Sequence, residues 1–502
     1  MTAEYSVDVC KELEDRFRAA EVHRPMRINR FDQGDELTYT VTGLERTSTA
    51  RVHLVIEKFV GGGFAGQVYK VKILDISAEG GQLNGLEAGG LYAMKILIPP
   101  TGFSRIFRNV LYRIGFQGPF QLQVNPTAAR AGALWQKFIR RGARLRFGDE
   151  KAVVDIYGTF VDDKLGSCGE LSEWIDGRTW QLEVDDRMDL IHSRLPIDEL
   201  KSKIGNRKSQ IKFGSPEFRA KRRFMSEFVK LLHDMGGHEF ARQYEWSTCK
   251  SQPNCLKRKG TDDDPDKGLV AVDFRAGLAL LPFLPMSPGD FKLIIKGLLR
   301  GSLVQFDRGS PRKLERFVSE HSDEFSDMTA MLDELKAAER VYRDSVPDIT
   351  HNHIRLLFSR RLWSTMLNSA VTGWRVRNLI DDKHKRKLHK SKLLTLVFSI
   401  IGLIPFLGGF LRRLWGRADW RRHYAAMLTG GYLRRALRAG IAEKVILWHR
   451  AGRLSGDMAL KTAAKPWLFW CHWPLSILPA GLHRFPPVRQ KTVQAGGLER
   501  KS

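Results

Sequence analysis

Three consecutive glycines, Gly61 to Gly63, followed at once by Gly66, interrupt a long stretch of β-type patterning at a single point. On the N-terminal side, residues 36–60 alternate Val, Thr and Ile with polar positions. On the other side, VYKVKILDI (68–76) and LYAMKILI (91–98) alternate in the same way, separated by the Gly-rich excursion 77–90. Glycine lets a backbone take conformations and close approaches closed to other residues. The chain is therefore required to turn tightly from one strand into the next, and it opens as an antiparallel sheet joined by hairpins. From Asn125 to Phe147 the period becomes helical, with Ala, Leu and Trp on one face and Arg on the other. A further strand pair is expected from VVDIYGTFVDD (153–163) and GSCGELSEWIDG (166–177). Helices then prevail, one of them over 217–236, until the strand-like GLVAVDF at 268–274. The class is α+β.

Four short patterns stand in this frame. Gly61, Gly63, Gly66 and Val68 satisfy G-x-G-x-x-G-x-V. Lys95, in YAMK, lies on the next strand but one, flanked by Ala, Met and Ile; a lysine so placed on a buried strand needs an anionic partner. LSEWIDGRTW (171–180) follows the expected strand pair. Finally, LVAVDFR (269–275) delivers Asp273 from an apolar strand, and KSQPNCL (250–256) lies just upstream.

In their order and spacing these patterns resemble the protein-kinase-like superfamily, including atypical bacterial branches such as the lipopolysaccharide core kinases, over roughly residues 50 to 290. The resemblance implies a two-lobed fold with an antiparallel β-sheet N-lobe and a helical C-lobe. Gly61, Gly63, Gly66 and Val68 would close over ATP phosphates. Lys95 would meet those phosphates, the hinge backbone at Glu173 and Ile175 would hold adenine, and Asn254 and Asp273 would be the magnesium ligands. Lys95 and Asp273 are the implied catalytic pair. Two departures are equally plain. Counting back five positions from Asn254 gives Cys249 where the family has its catalytic aspartate, and the helix at 125–147 contains no acidic residue to pair with Lys95, with Gln136 the nearest polar substitute. Glu239 or Glu245 could serve as base only if the loop took another path. Arg275 stands where the family has glycine after Asp-Phe.

Charge is distributed very unevenly. His351 to Ser502 holds 29 Lys and Arg against 6 Asp and Glu, whereas the preceding residues hold 53 against 50. The basic run KHKRKLHKSK (383–392) leads into LLTLVFSIIGLIPFLGGFL (393–411), which has no charge, and a second apolar stretch at 466–482 carries Trp467, Trp470 and Trp473. If both stretches spanned a bilayer, the segment 412–465, with 13 basic and 3 acidic residues, would lie outside, against the positive-inside rule. Interfacial or re-entrant insertion on the cytoplasmic face, with the cations on anionic lipid, is the expectation. A buried helical hairpin of a soluble domain is the rival. Nucleic acid is disfavoured as a partner, because the basic residues bracket apolar segments. Five scattered cysteines without a CxxC pair argue against a disulfide framework or zinc knuckle, and the acidic, amphipathic N-terminus shows no cleaved secretion signal.

The expected organisation is an N-terminal extension (1–49), a kinase-like domain (50–310, with N-lobe to about 172, hinge 173–180 and C-lobe 181–310), a helical linker (311–382) and a basic, membrane-associated helical region (383–502). The functional expectation is an ATP- and Mg2+-dependent phosphotransferase held at a membrane, its acceptor a protein, lipid or sugar. A pseudokinase scaffold that binds nucleotide without transferring phosphate is the alternative, and a membrane-associated structural protein with a coincidental glycine loop is a third.

Overall fold

A computed structural model describes residues 7–23, 25–28, 30–44, 48–62, 66–78, 83–98, 121–179, 181–182, 210–211, 216–245, 254–274, 279–280, 295, 304–305, 309–345, 358–404, 407–450, 452–471 and 488–489. After a helix α1 (Val7–Ala19), six antiparallel strands follow: β1 (Glu36–Gly43), β2 (Thr49–Gly62), β3 (Gln67–Ala78), β4 (Leu91–Ile96), β5 (Ile156–Asp162) and β6 (Ser167–Glu173). They form a closed barrel in the order β1-β2-β3-β4-β6-β5. Closure comes from β1 meeting β5 at Thr42 and Thr159 and at Gly43 and Gly158. A Cβ on Gly158 would lie 2.6 Å from Val41 Cγ1 and 2.9 Å from the Thr42 carbonyl, so the seam needs a glycine. Inward positions alternate along the strands as the period-two pattern requires, burying Val41, Val52, Leu54, Val71, Ile73 and Met94.

Closure makes β1 part of the barrel, so the boundary drawn at residue 49 divides a hairpin rather than separating an extension from a domain. The remainder of that segment points elsewhere. α1 lays Phe17, with Val22 just beyond it, against Tyr432 and Ala436 near the other end of the chain.

Helix α2 (Pro126–Phe147) connects β4 to β5. Asn125 caps it by accepting from Thr127 N–H at 3.0 Å, Pro126 occupies its first turn, and Gly148 ends it in the left-handed region at φ 72°. Its Leu134, Trp135 and Phe138 enter a large core with α3 (Pro216–Asp234) and α4 (His238–Glu245), and with the small sheet β7 (Gly177–Thr179), β8 (Cys255–Arg258) and β9 (Leu269–Ala271). α5 (Pro311–Glu320) and α6 (Thr329–Asp344) complete that core with Leu314, Phe317, Leu332 and Leu335. Of the segment 311–350, expected to be a linker, the described residues 311–345 therefore form a wall of this core. Most of its charged residues lie on the outer face, buried Glu339 excepted, while apolar residues recurring at three and four positions are buried.

α7 (Arg360–Val376), also assigned to the linker, packs on the barrel. Val376 joins Leu97, Ala128 and Cys168, and Arg375 pairs with Asp163 at 2.9 Å in the β5–β6 turn. The C-terminal region continues as α8 (Asp382–Lys390), α9 (Lys392–Ile401), α10 (Gly408–Gly416), α11 (Ala418–Met427), α12 (Gly430–Arg450) and α13 (Gly456–Ala464). Among the described residues no helix is long and apolar enough to cross a membrane.

One buried acid in the barrel yields a test. Asp162 is fully enclosed, accepting from Tyr39 O–H at 2.5 Å and from Leu165 N–H. Burial pushes its carboxyl from 3.8 to about 6, although those bonds oppose the shift. The folded protein thus holds this proton more tightly than the unfolded chain does, so the stabilisation is complete below about pH 4 and is lost as pH rises through 6. Asp162→Asn should remove that loss, on the order of 3 kcal/mol, from urea-unfolding free energies measured between pH 4 and pH 7.

Candidate functional site

The register of the barrel sets several of the expected residues in one row. Val68 on β3 faces Gly61 of β2 on one side and Lys95 of β4 on the other. Gly66, just before β3, sits so close to β4 that a Cβ there would lie 2.6 Å from the Ile96 carbonyl. Gly63 falls outside the described residues.

Lys95 finds its anion on the second sheet. Its ammonium donates to Asp273 Oδ1 at 2.6 Å, across 178 residues of sequence, with the two side chains 13% and 21% exposed. Asp273 is held there by β9, which pairs with β8 in the register Cys255 to Ala271. Val272 N–H donates to the Asn254 carbonyl at 2.9 Å. Asn254 and Asp273 are accordingly adjacent at the end of one ladder. The lysine's counter-charge comes from this ladder and not from α2, where Gln136 donates to the Val154 carbonyl at 3.0 Å and Lys137 pairs with Asp155 at 2.7 Å. The expected substitution of Gln136 for a helix glutamate does not occur.

Tyr244, on α4, was not visible as a site residue. Its hydroxyl lies 2.9 Å from the Asp273 carbonyl and 3.2 Å from the Asn254 carbonyl, and it accepts the Asp273 N–H at 3.2 Å. Burial raises this phenol well above its ordinary range, and the Asp273 carboxylate reinforces the shift, so it remains a protonated donor. Phe228 packs edge-on against its ring at 4.7 Å between centroids and also meets Phe274 at 5.9 Å. An apolar stack thus fixes the hydroxyl that fixes both candidate ligands. The only sequence signal was an aromatic residue at the end of an amphipathic helix, which core packing explains equally well.

The hinge residues are committed to structure. Glu173 N–H donates to the Asp155 carbonyl at 2.9 Å, and its carboxylate takes Arg258 at 2.7 Å. Its amide is therefore bonded within the protein. The Ile175 side chain is buried in the large core. Glu239, the alternative base, is buried and accepts from Gly309 N–H at 3.3 Å; Cys249 lies outside the described residues, as does the Glu245 side chain. In the acidic hairpin 260–267, Lys257 fastens the turn through the carbonyls of Asp264, Pro265 and Lys267, and Asp266 pairs with Arg223 at 2.6 Å. Among the described residues no group of three or more His, Cys, Asp or Glu could hold a metal ion. A magnesium ion that shares its shell with phosphates and water needs only one or two protein ligands, and the Asp273 carboxylate is of that donor type.

No family model and no curated protein matches this chain. Among solved structures it is similar to a rhoptry kinase from Toxoplasma gondii at 11% identity, covering 88% of this chain and 98% of the other with a TM-score of 0.27. An overlap at that score assigns neither fold nor activity.

Tyr244→Phe keeps the aromatic stack and deletes the hydroxyl, leaving the Asp273 amide without its partner. It should lower unfolding free energy by about 1–3 kcal/mol in urea titrations. A variant as stable as wild type would show that this hydroxyl does not hold the two segments together.

Proposed function

We propose that this chain is a protein-kinase-like, ATP-dependent phosphotransferase whose magnesium–nucleotide site is centred on Lys95 and Asp273. The carrying observation is the 2.6 Å pairing of a strand-borne lysine with a carboxylate delivered from the neighbouring sheet, beside a glycine turn and Asn254. Structural ion pairs are common, but this one joins two groups that separate sequence patterns had each marked for nucleotide chemistry. Both side chains retain partial exposure, so an incoming ligand can reach them.

The residues divide the work by their chemistry. Lys95 supplies a point charge for phosphate oxygens and Asp273 a hard carboxylate for magnesium, with Asn254 as a neutral second ligand. Bound nucleotide with its metal supplies the transferable phosphoryl group. On binding, Lys95 would turn from Asp273 to a phosphate oxygen and Asp273 would hold the metal, so that neither buried charge would be left bare. The glycine at 66 keeps a side chain out of the space beside β4.

A second reading, a nucleotide-binding scaffold without transfer, is favoured by one specific feature. Helix α2 carries no acid, and its nearest cations are bound to Asp155, so no carboxylate there orients Lys95 for the reacting phosphate. Binding and turnover separate the two readings. The test should use the whole chain, because α7 packs on the barrel and truncation near residue 345 would uncover Leu97 and Cys168.

Lys95→Ala should weaken magnesium-ATP binding by at least about tenfold in calorimetric titration. Equal affinity in mutant and wild type would remove this site. Asp273→Asn should abolish most of the magnesium dependence of binding, whereas Asp262→Asn or Asp263→Asn should leave it within about twofold. Magnesium-dependent release of phosphate by wild type, absent in Asp273→Asn, supports transfer; binding without release supports the scaffold.

A further inference from the structure

The uncharged stretch 393–411 folds into two short helices, α9 and α10, that double back on each other. Gly408 is packed against the end of α9, where a Cβ would meet the carbonyls of Ile401 and Gly402 at 2.6 and 2.7 Å. Arg412 closes the hairpin by donating to the Phe398 carbonyl at 2.9 Å and the Ser399 carbonyl at 2.7 Å, with its guanidinium 4.8 Å from the Trp374 ring centre. The hairpin is therefore a defined, braced unit.

Its polarity is inverted relative to an ordinary surface helix. Thr395 and Phe398 face the protein, where Thr395 bonds the Leu388 carbonyl and Phe398 meets Trp374. Leu393, Leu396, Val397, Ile400, Leu403 and Leu407 face solvent, with exposures of 73% at Leu393, 56% at Ile400, 65% at Leu403 and 57% at Leu407. Within α9 the spacing of Leu393, Leu396, Val397 and Ile400 draws one apolar stripe, and Leu403 and Leu407 extend that exposed aliphatic surface beyond the helix. The preceding helix α8 presents Lys383, Arg386, Lys387 and Lys390 to solvent directly before this stripe begins.

We propose that this hairpin is a one-leaflet wedge that docks the protein on an anionic lipid membrane, the stripe entering the acyl boundary and the α8 cations meeting the headgroups. Three arguments favour lipid as the occupant. A surface of six large aliphatic side chains with no polar group matches acyl chains and offers no hydrogen bond for a protein partner to read. The adjoining cations belong to a region with 29 basic and 6 acidic residues, which complements an anionic surface and would repel a second copy of the same face. The ten residues of α9 rise only about 15 Å, half of a hydrocarbon core of about 30 Å, which suits insertion into one leaflet. The inference is independent of the nucleotide site.

The full-length protein should sediment with vesicles of phosphatidylcholine containing about one-third phosphatidylglycerol, and should stay bound in molar salt, because screening leaves the inserted stripe in place. Ile400→Asp with Leu403→Asp, both at solvent-facing positions, should reduce that binding by about tenfold or more at unchanged melting temperature. Lys383→Glu with Lys387→Glu should weaken binding to the anionic vesicles but not to pure phosphatidylcholine. Lys95→Ala should bind vesicles as wild type does. Failure of wild type to sediment, release by salt alone, or undiminished binding of the Ile400/Leu403 variant would each overturn the wedge. A dimer in sedimentation velocity that the same variant dissolves, without vesicle binding, would assign the face to a second copy and equally overturn it.

Discussion

Burial of helix α2 on nearly every side is the constraint from which the arrangement of the rest follows. Its apolar face supplies Leu134, Trp135 and Phe138 to the large core, and its first turn places Ala128 and Ala129 against Leu97 and Cys168 of the barrel. A helix so enclosed must have its polar groups answered by neighbours, because an unpaired buried charge costs several kcal/mol. α2 carries only cations, and each adjoining element supplies the acid. Arg130 meets Glu334 of α6, Lys137 meets Asp155, Arg141 meets Glu150 and Asp327, and Arg146 meets Asp234 of α3. The indole of Trp135 donates to buried Glu339 at 2.9 Å. The exposed members of this set contribute little individually. Their collective effect is to fix which face of α2 meets which neighbour.

That solution determines the chemistry available at the site. With no carboxylate on α2, Lys95 is neutralised from the other sheet by Asp273, the group the proposed function assigns to the metal. The pair is a bridge between β4 and β9, and in the proposed reading it would part into two ligand groups on binding magnesium and nucleotide. Opening it exchanges one set of charge contacts for another, which is cheaper than exposing either charge alone in a partly desolvated setting. The Tyr244 hydroxyl matters here because it holds the main chain at Asp273 and Asn254, so the carboxylate can change partners while its backbone stays in place.

What the sequence disclosed, and what it hid, follows from the range of each interaction. Alternation in 68–76 and 91–98 revealed β3 and β4, and the helical period from Asn125 to Phe147 marked α2, because these signals are local. The Lys95 side chain was recognisable as needing an anion from its own strand, yet its partner was fixed only by the pairing of β8 with β9. In residues 311–345 composition registers the charged outer face, whereas Leu314, Phe317, Leu332 and Leu335 carry the packing. β1 was left outside the domain for a related reason. Its alternation was legible, but its closing contact with β5 joins residues more than a hundred positions apart. Tyr244 gave no distinctive signal, since a buried tyrosine at a helix end serves packing far more often than it clamps a loop.

The C-terminal helices are attached to the barrel by more than a tether. Arg375 near the end of α7 reaches both Asp163 in the β5–β6 turn and Asp382 at the start of α8, and Asn378 donates to the Asp163 carbonyl. Gly166 in the same turn lies so near this junction that a Cβ would be 3.0 Å from the Val376 carbonyl. From there the chain passes through α8 into α9, and Trp374 of α7 packs directly on Phe398 of the hairpin. Barrel, junction and hairpin are thus linked by successive side-chain contacts, with no run of unpacked residues between Arg360 and Ile401. A hairpin fixed in this way transmits orientation as well as location. If it enters a leaflet as proposed, the barrel and the Lys95–Asp273 pair take a set attitude to the membrane plane, whereas a flexible linker of similar length would let them sample many distances and directions.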